Sequence, residues 1–275
     1  EFFTANSDEI QRIELDRGMN VLVLTRAENK LWRAPAAVEV KIKTSKVERF
    51  LDRLLRLRAT QFLDNEEDNF ALLGLDPAKI RLEIATPKKT ETLLLGNTKE
   101  DESVYAKGGE LPGVAMVQKS LLDELPQTLS DLEDRTLLEF DLDQVRALAL
   151  VLADEAARLE RNEETWNWLG DENRKAPENW RINSLLWNVQ ELEYLPGDFP
   201  QAQSSAANTV LKLVLYSEHD DKLGTFSLLE TPSAKTERGV IWFSPGSEEP
   251  RSYWLSGESL RELHEGVKQL LSPEA

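Results

Sequence analysis

Cysteine is absent from this chain of 275 residues. Its absence removes disulfides, thiolate nucleophiles and Cys-ligated zinc or iron–sulfur sites together, and it leaves the redox compartment unread. Histidine is scarce as well, with two residues in all. No apolar run approaches the roughly 18–20 residues of a spanning helix, so the chain is expected to be soluble as it stands. The start, Glu1-Phe2-Phe3-Thr4, is neither an initiator Met nor a signal peptide. It is compatible with a fragment from which an upstream anchor or signal has been removed.

Positive charge is also in short supply, with 33 Lys and Arg against 50 Asp and Glu and a formal net charge of −17. Phosphate binding needs a concentrated basic surface, so a nucleic-acid partner is disfavoured. The acidity chiefly keeps the chain soluble and monomeric, while basic partners or cations stay open. The composition is otherwise that of a folded protein: 40% hydrophobic and 30% charged residues suffice for cores and a solvated surface. The length suits two domains of ordinary size.

The apolar pattern repeats. Ile10, Ile13 and Leu15 reappear as Val145, Leu148 and Leu150, about 135 positions later. Leu22, Leu24, the polar turn Glu28-Asn29-Lys30 and Trp32 correspond to Leu159, the turn Asn162-Glu163-Glu164 and Trp166. Each copy reads as strand, tight reversal and strand, with Arg17-Gly18 as a further turn in the first.

A helix follows in each. Val47, Phe50, Leu51, Leu54 and Leu55 form one apolar stripe at helical spacing, with charged residues opposite. Ser45 followed by Glu48 predicts a capping box. In the second copy the stripe is Ile182, Leu185, Leu186, Val189 and Leu192, expected to run to Pro196-Gly197.

Irregular linkers, 61–77 and 197–208, lead to four alternating segments in each copy: 80–84, 92–95, 104–106 and 114–117, then 210–216, 224–229, 239–243 and 252–255. The gaps admit hairpins but not crossovers, so the sheets should be mainly antiparallel. The predicted class is α+β: two tandem diverged copies of a module with an antiparallel sheet, one long covering helix and a short closing helix, Ser120–Leu125 and Ser259–Leu263. The modules are placed at 1–130 and 140–275, with a charged junction at 131–139.

The order of these elements, with Leu73-Gly74-Leu75-Asp76-Pro77 and Asp134-Arg135-Thr136-Leu137-Leu138-Glu139-Phe140-Asp141, resembles the bacterial domain-of-unknown-function family 4340. The resemblance covers most of residues 8–150 and extends faintly beyond. It implies a single membrane-spanning segment upstream of Glu1, a place on the extracytoplasmic or periplasmic face, and an association with ABC-type transport or gliding-motility auxiliary systems. It carries over no catalytic residue.

Motifs for chemistry are sparse. His219 falls in a polar hairpin tip, Ser217 to Lys222, and His264 lies beside Glu262 and Glu265 in the terminal helix. Neither has a second His at ligand spacing, so both read as surface residues. Asp64-Asn65-Glu66-Glu67-Asp68 lacks the spacing and glycine of a calcium loop and reads as a solvated charge run. Lys107-Gly108-Gly109-Glu110 reads as a hairpin reversal, because no helix follows it. No catalytic residue, metal site or cofactor is expected, and the chain is not expected to be an enzyme.

Tryptophan is the asymmetric feature: of seven, six lie in the second copy. Trp166 and Trp254 occupy strand positions where burial is the default. Trp187 takes the helical position that Asp52 holds in the first copy, where a large apolar group should meet something. Trp180, Trp187 and Trp242 are the candidate partner surface. The leading expectation is a non-catalytic interaction or scaffold domain of a membrane-associated transport or envelope system, with a protein partner. A carbohydrate- or peptide-binding module using the aromatics of the second copy is the alternative, and a hydrolase with a carboxylate site is the weakest.

Overall fold

The computed structural model describes residues 2–63, 69–108, 111, 113–163, 165–171, 174–200 and 209–272. The acidic run 64–68, Gly109, Glu110 and Glu164 lie outside the described residues. The fold is α+β, built on two mainly antiparallel sheets. The chain divides into two compact units, Glu1–Asp134 and Arg135–Ala275, so the dividing point falls within the Asp134-Arg135 junction motif.

In the first unit, β1 (Arg12–Asp16), β2 (Val21–Arg26) and β3 (Trp32–Arg33) lead to helix α1 (Thr44–Leu55). Next come β4 (Gln61–Leu63), β5 (Ile80–Ala85), β6 (Thr90–Thr98), β7 (Ser103–Gly108), β8 (Val114–Gln118) and the five-residue α2 (Ser120–Glu124). The sheet order is β3-β2-β1-β5-β6-β7-β8-β4. Alternation decides its faces. Ile13 and Leu15 stand opposite Leu24 and Leu22 on one side and Ile84 and Leu82 on the other, and all six are buried. The β1–β2 reversal uses Gly18 at φ +80, whose N–H donates to Asp16 Oδ1 at 2.7 Å.

Val47, Phe50, Leu51 and Leu54 of α1 belong to the same core as the inward strand residues, together with Phe2 and Phe3. The N-terminal segment is held by Glu91, which accepts from the backbone N–H groups of Thr4 and Ala5 and from the Thr4 hydroxyl. The expected capping box is not formed. The N-cap residue is Lys43, in extended conformation, which puts Ser45 inside the first turn, where it cannot serve as the cap. The linker 61–77 is not wholly irregular either, since Gln61–Leu63 pairs with β8 as an edge strand.

The second unit contains β9 (Ala147–Leu152), β10 (Glu155–Asn162), β11 (Thr165–Trp168), α3 (Asn179–Gln190), β12 (Leu211–Tyr216), β13 (Lys222–Leu228), β14 (Arg238–Pro245), β15 (Arg251–Ser256) and α4 (Gly257–Leu271). Its order, β11-β10-β9-β12-β13-β14-β15, has the form of the first seven strands of the other sheet. Helix α3 has the same 12-residue length as α1. Ile182, Leu185, Leu186 and Val189, all buried, take the helical positions of Val47, Phe50, Leu51 and Leu54. The helix stops at Gln190, well before Pro196-Gly197, and Leu192 is buried beyond its end.

The closing helix of this unit is not short: α4 has 15 residues, more than any other helix described. Two local features account for this. The Ser256 hydroxyl caps its start by accepting from Ser259 N–H at 3.1 Å. Leu260, Leu263, Val267, Leu270 and Leu271 then continue one buried stripe. Gly266 lies within that stretch against α3, with Leu185 Cδ1 3.0 Å from where a Cβ would stand, so the helix passes through it by packing closely.

Candidate functional site

The predicted site residues fall on two different surfaces of the second unit. Trp180 and Trp187 are seven residues apart on α3, and that spacing returns to nearly the same helix face after two turns, about 10 Å along the axis. They are 58% and 55% exposed, while the stripe behind them is buried. Trp180 Nε1–H donates to Glu178 Oε2 at 2.5 Å, and the Arg181 guanidinium lies 5.3 Å from the ring centroid. Partly buried Asn183 and Ser184 occupy the turn between the rings, so this face is aromatic and uncharged at its centre. At the same positions α1 carries Ser45 and Asp52, the latter paired with Arg56 at 2.9 Å. Covering the remaining surface of either indole would be worth roughly 2–3 kcal/mol.

Trp242 is elsewhere. Its neighbours Ile241 and Phe243 point into the core shared with α3 and α4, so Trp242 faces the opposite side of the sheet. The three tryptophans therefore do not form one surface. On that outer face Trp242 belongs to a cross-strand row. It stands between Ser227 and Ser252, and the row continues through Lys212 to Val151. A second row holds Ala149, Val214, Thr225 and Ser244.

A cavity of about 540 Å³ lies over this face. Its wall includes Val151, Lys212, Thr225, Ser227, Trp242 and Ser244. The β14–β15 connection forms its rim through Gly246, Ser247 and Glu248. Gly246, at φ +56, makes the turn, and the Ser244 hydroxyl donates to the Glu248 carbonyl, drawing the connection back over the sheet. Among the described residues the buried Trp242 indole N–H has no hydrogen-bond partner. Trp254, expected to be buried, is half-buried, with the Arg238 guanidinium 4.7 Å from its ring centroid. Its place on the outer face, opposite Val240, keeps it out of the helix-covered core. Trp166 is buried, 3% exposed.

The sequence singles out Trp242 but does not reveal the cavity. The signal lies in the alternation, which places polar Lys212 in β12 and Thr225 and Ser227 in β13 on the same outward face as the indole. Pattern alone does not show that the β14–β15 connection curls over them.

The titratable groups do not converge on this cavity as acid–base pairs. Burial works against ionisation of Glu91, but hydrogen bonds from Lys89, Thr4 and Ala5 outweigh it and hold the carboxyl below its ordinary range. Asp101 is lowered by the hydroxyl and backbone N–H of Ser103. Both shifts run opposite to what a general acid needs. Exposed His219 sits in the β12–β13 turn, and half-buried His264 has Nδ1 3.8 Å from Glu265. Among the described residues no group of three or more His, Asp or Glu is placed to hold a metal. Lys107 lies near the end of β7, with Nζ 3.7 Å from the Phe70 ring centroid.

Residues 32–206 match the family described as domain of unknown function DUF4340. That span contains the Gly74-Leu75-Asp76-Pro77 element and the Asp134 to Asp141 junction. No curated protein and no solved structure gives a significant match.

Proposed function

The chain belongs to the DUF4340 family, and from that premise we propose that it is a non-catalytic interaction protein that docks a protein partner on the outer face of α3. The observation that carries this reading is the pair Trp180 and Trp187, both more than half exposed on one helix face. Large, rigid aromatic anchors around an uncharged centre suit a partner interface, and the gain on covering both rings is several kcal/mol. The lowered pKa values of Glu91 and Asp101 go with structural rather than catalytic use.

The test is affinity isolation of the full-length protein from its native membrane, with wild type beside Trp180→Ala/Trp187→Ala. Neither ring belongs to the buried stripe, so stability should change by no more than about 0.5 kcal/mol, while a specific partner is lost. Capture of the same partner by the double variant would sink the reading.

The reading includes an origin in two tandem, diverged copies of one module. Its support is the shared strand order and the equal helices with matching buried positions. An experimental structure with differing strand orders in the two units would remove it. It also includes a place on the extracytoplasmic face as part of a membrane-associated transport or envelope system, with an anchor upstream of Glu1, supported by the family resemblance alone. Protease accessibility of the full-length protein in spheroplasts tests that placement, and complete protection with a cytoplasmic control intact would reject it.

A second reading, a carbohydrate-binding module using aromatics of the second unit, is favoured by one observation: Trp242 lines a cavity rich in hydroxyl groups.

A further inference from the structure

We propose that the cavity on the outer face of the second sheet binds an acidic sugar, its carboxylate held by Lys212 and Lys222 and its ring set against Trp242. The inference rests on the carbohydrate reading and is independent of the α3 face. Its starting point is charge. The chain carries a net charge of −17, yet among the described residues this cavity gathers two lysines with Glu248 as the one acid. Both lysines are exposed, and among the described residues neither makes an ion pair. Cations left unneutralised beside a concave wall attract an anion and orient it by charge-assisted hydrogen bonds.

The remaining wall selects among anions. Thr225 and Ser227 flank the aromatic row, and their hydroxyls make no hydrogen bond among the described residues. A bare aromatic acid would leave those groups unsatisfied, whereas a ligand with its own hydroxyls pairs with them. Trp242 supplies the complementary apolar element: the negative face of an aromatic ring suits the slightly positive C–H face of a pyranose. A volume of about 540 Å³ lies within the usual range for small-molecule sites and accommodates a mono- or disaccharide.

The outer face of the first unit supplies a contrast within the same chain. There Leu73, Leu75 and Val114 form a small core of their own, with Phe70, Leu94 and Tyr105 packed against it. An outward sheet face can thus be closed with apolar side chains, and in the second unit Ser227 takes the register position that Leu94 holds in the first.

The experiment is a titration of the full chain, with indole ¹⁵N labelling, by sodium D-glucuronate, D-glucose and sodium acetate in parallel. The expected result is a saturable shift of the Trp242 indole signal, assigned with Trp242→Phe, on adding glucuronate. Glucose and acetate should bind at least about tenfold more weakly, and Lys212→Ala/Lys222→Ala should lower glucuronate affinity by about tenfold or more. Because both lysines are exposed, the double variant should keep the wild-type indole spectrum without ligand. Equal binding of glucose and glucuronate, unaffected by the double variant, would overturn the acidic-sugar inference and leave the carbohydrate reading standing. Acetate binding as well as glucuronate would overturn the sugar. No saturable shift with any of the three would remove both.

Discussion

Among the described residues, the outer faces of the two sheets differ in what lies over them. In the first, the segment containing Phe70, Leu73 and Leu75 lies against Leu94, Tyr105 and Val114. Backbone contact ties it down: Asn97 N–H donates to the Leu73 carbonyl at 2.7 Å, and Asn97 Nδ2 donates to the Leu72 carbonyl at 2.9 Å. This approach requires Gly96, where a Cβ would stand 2.2 Å from the Leu73 oxygen. In the second unit, the strand that matches β7 in the sheet order presents Trp242 amid polar side chains and a cavity. The helix layers differ in a complementary way, since α1 turns a charged face outward and α3 turns out two tryptophans. Among the described residues, the same strand order thus carries an apolar cluster on the outer face of the first unit and a partly polar cavity on that of the second.

The closing helices offer the largest expected effect on that comparison. Leu263 is fully buried in the 15-residue α4, and Leu263→Ala should cost about 2–5 kcal/mol. Leu121 of the five-residue α2 is 6% exposed, and Leu121→Ala should cost roughly 1–2 kcal/mol. Urea unfolding followed by tryptophan fluorescence, which reports chiefly on the second unit, together with amide exchange for the first, separates the two. Equal losses would mean that the short helix holds its unit as firmly as the long one.

Gly96→Ala comes next, expected to destabilise the first unit by about 2 kcal/mol or more, because a backbone contact must open. Amide exchange in β6 should accelerate while the second unit is unchanged. Unaltered exchange would show that the outer face of the first unit is not closed through this approach.

A smaller effect concerns helix starts. Ser256→Ala removes the hydroxyl that caps α4 and should cost about 1 kcal/mol, whereas Lys119→Ala, at a position without a side-chain cap hydrogen bond, should be nearly silent in the same melts.

The smallest effect is confined to acid. Glu91 has a folded pKa below the ordinary value of 4.5, so its contribution is fully present above that value and is lost as pH falls through the folded pKa. The stability gap between wild type and Glu91→Gln should be constant near neutrality and shrink below about pH 4.5. A gap that widens in acid would reverse the assigned direction. Because this clamp belongs to the N-terminal segment, the second unit should show no such dependence.

Much of the fold is legible in the sequence because its determinants are local. The stripes Val47-Phe50-Leu51-Leu54 and Ile182-Leu185-Leu186-Val189 specify helices through spacing alone, and all eight residues are buried. Strands such as 80–84 and 210–216 are legible through alternation, and the short gaps between them suffice to predict antiparallel pairing. The capping box expected at Ser45 does not form, because a two-residue motif recurs by chance. The helix start follows instead from the extended backbone at Lys43, whose N–H donates to the Leu132 carbonyl far along the chain.

What a sequence determines by itself in this protein is whatever depends on neighbours within a few residues: periodicity, turn chemistry, charge balance and the absence of thiols. Tertiary structure alone decided what, among the described residues, lies over each sheet's second face, because that depends on contacts between distant segments. Alternation marks Trp242 as outward without saying what stands above it, and the close approach of Leu185 to Gly266 is likewise a contact between two helices. Whether an outward residue ends in a closed core or beside a cavity is a matter of where the chain returns, and local pattern does not encode that return.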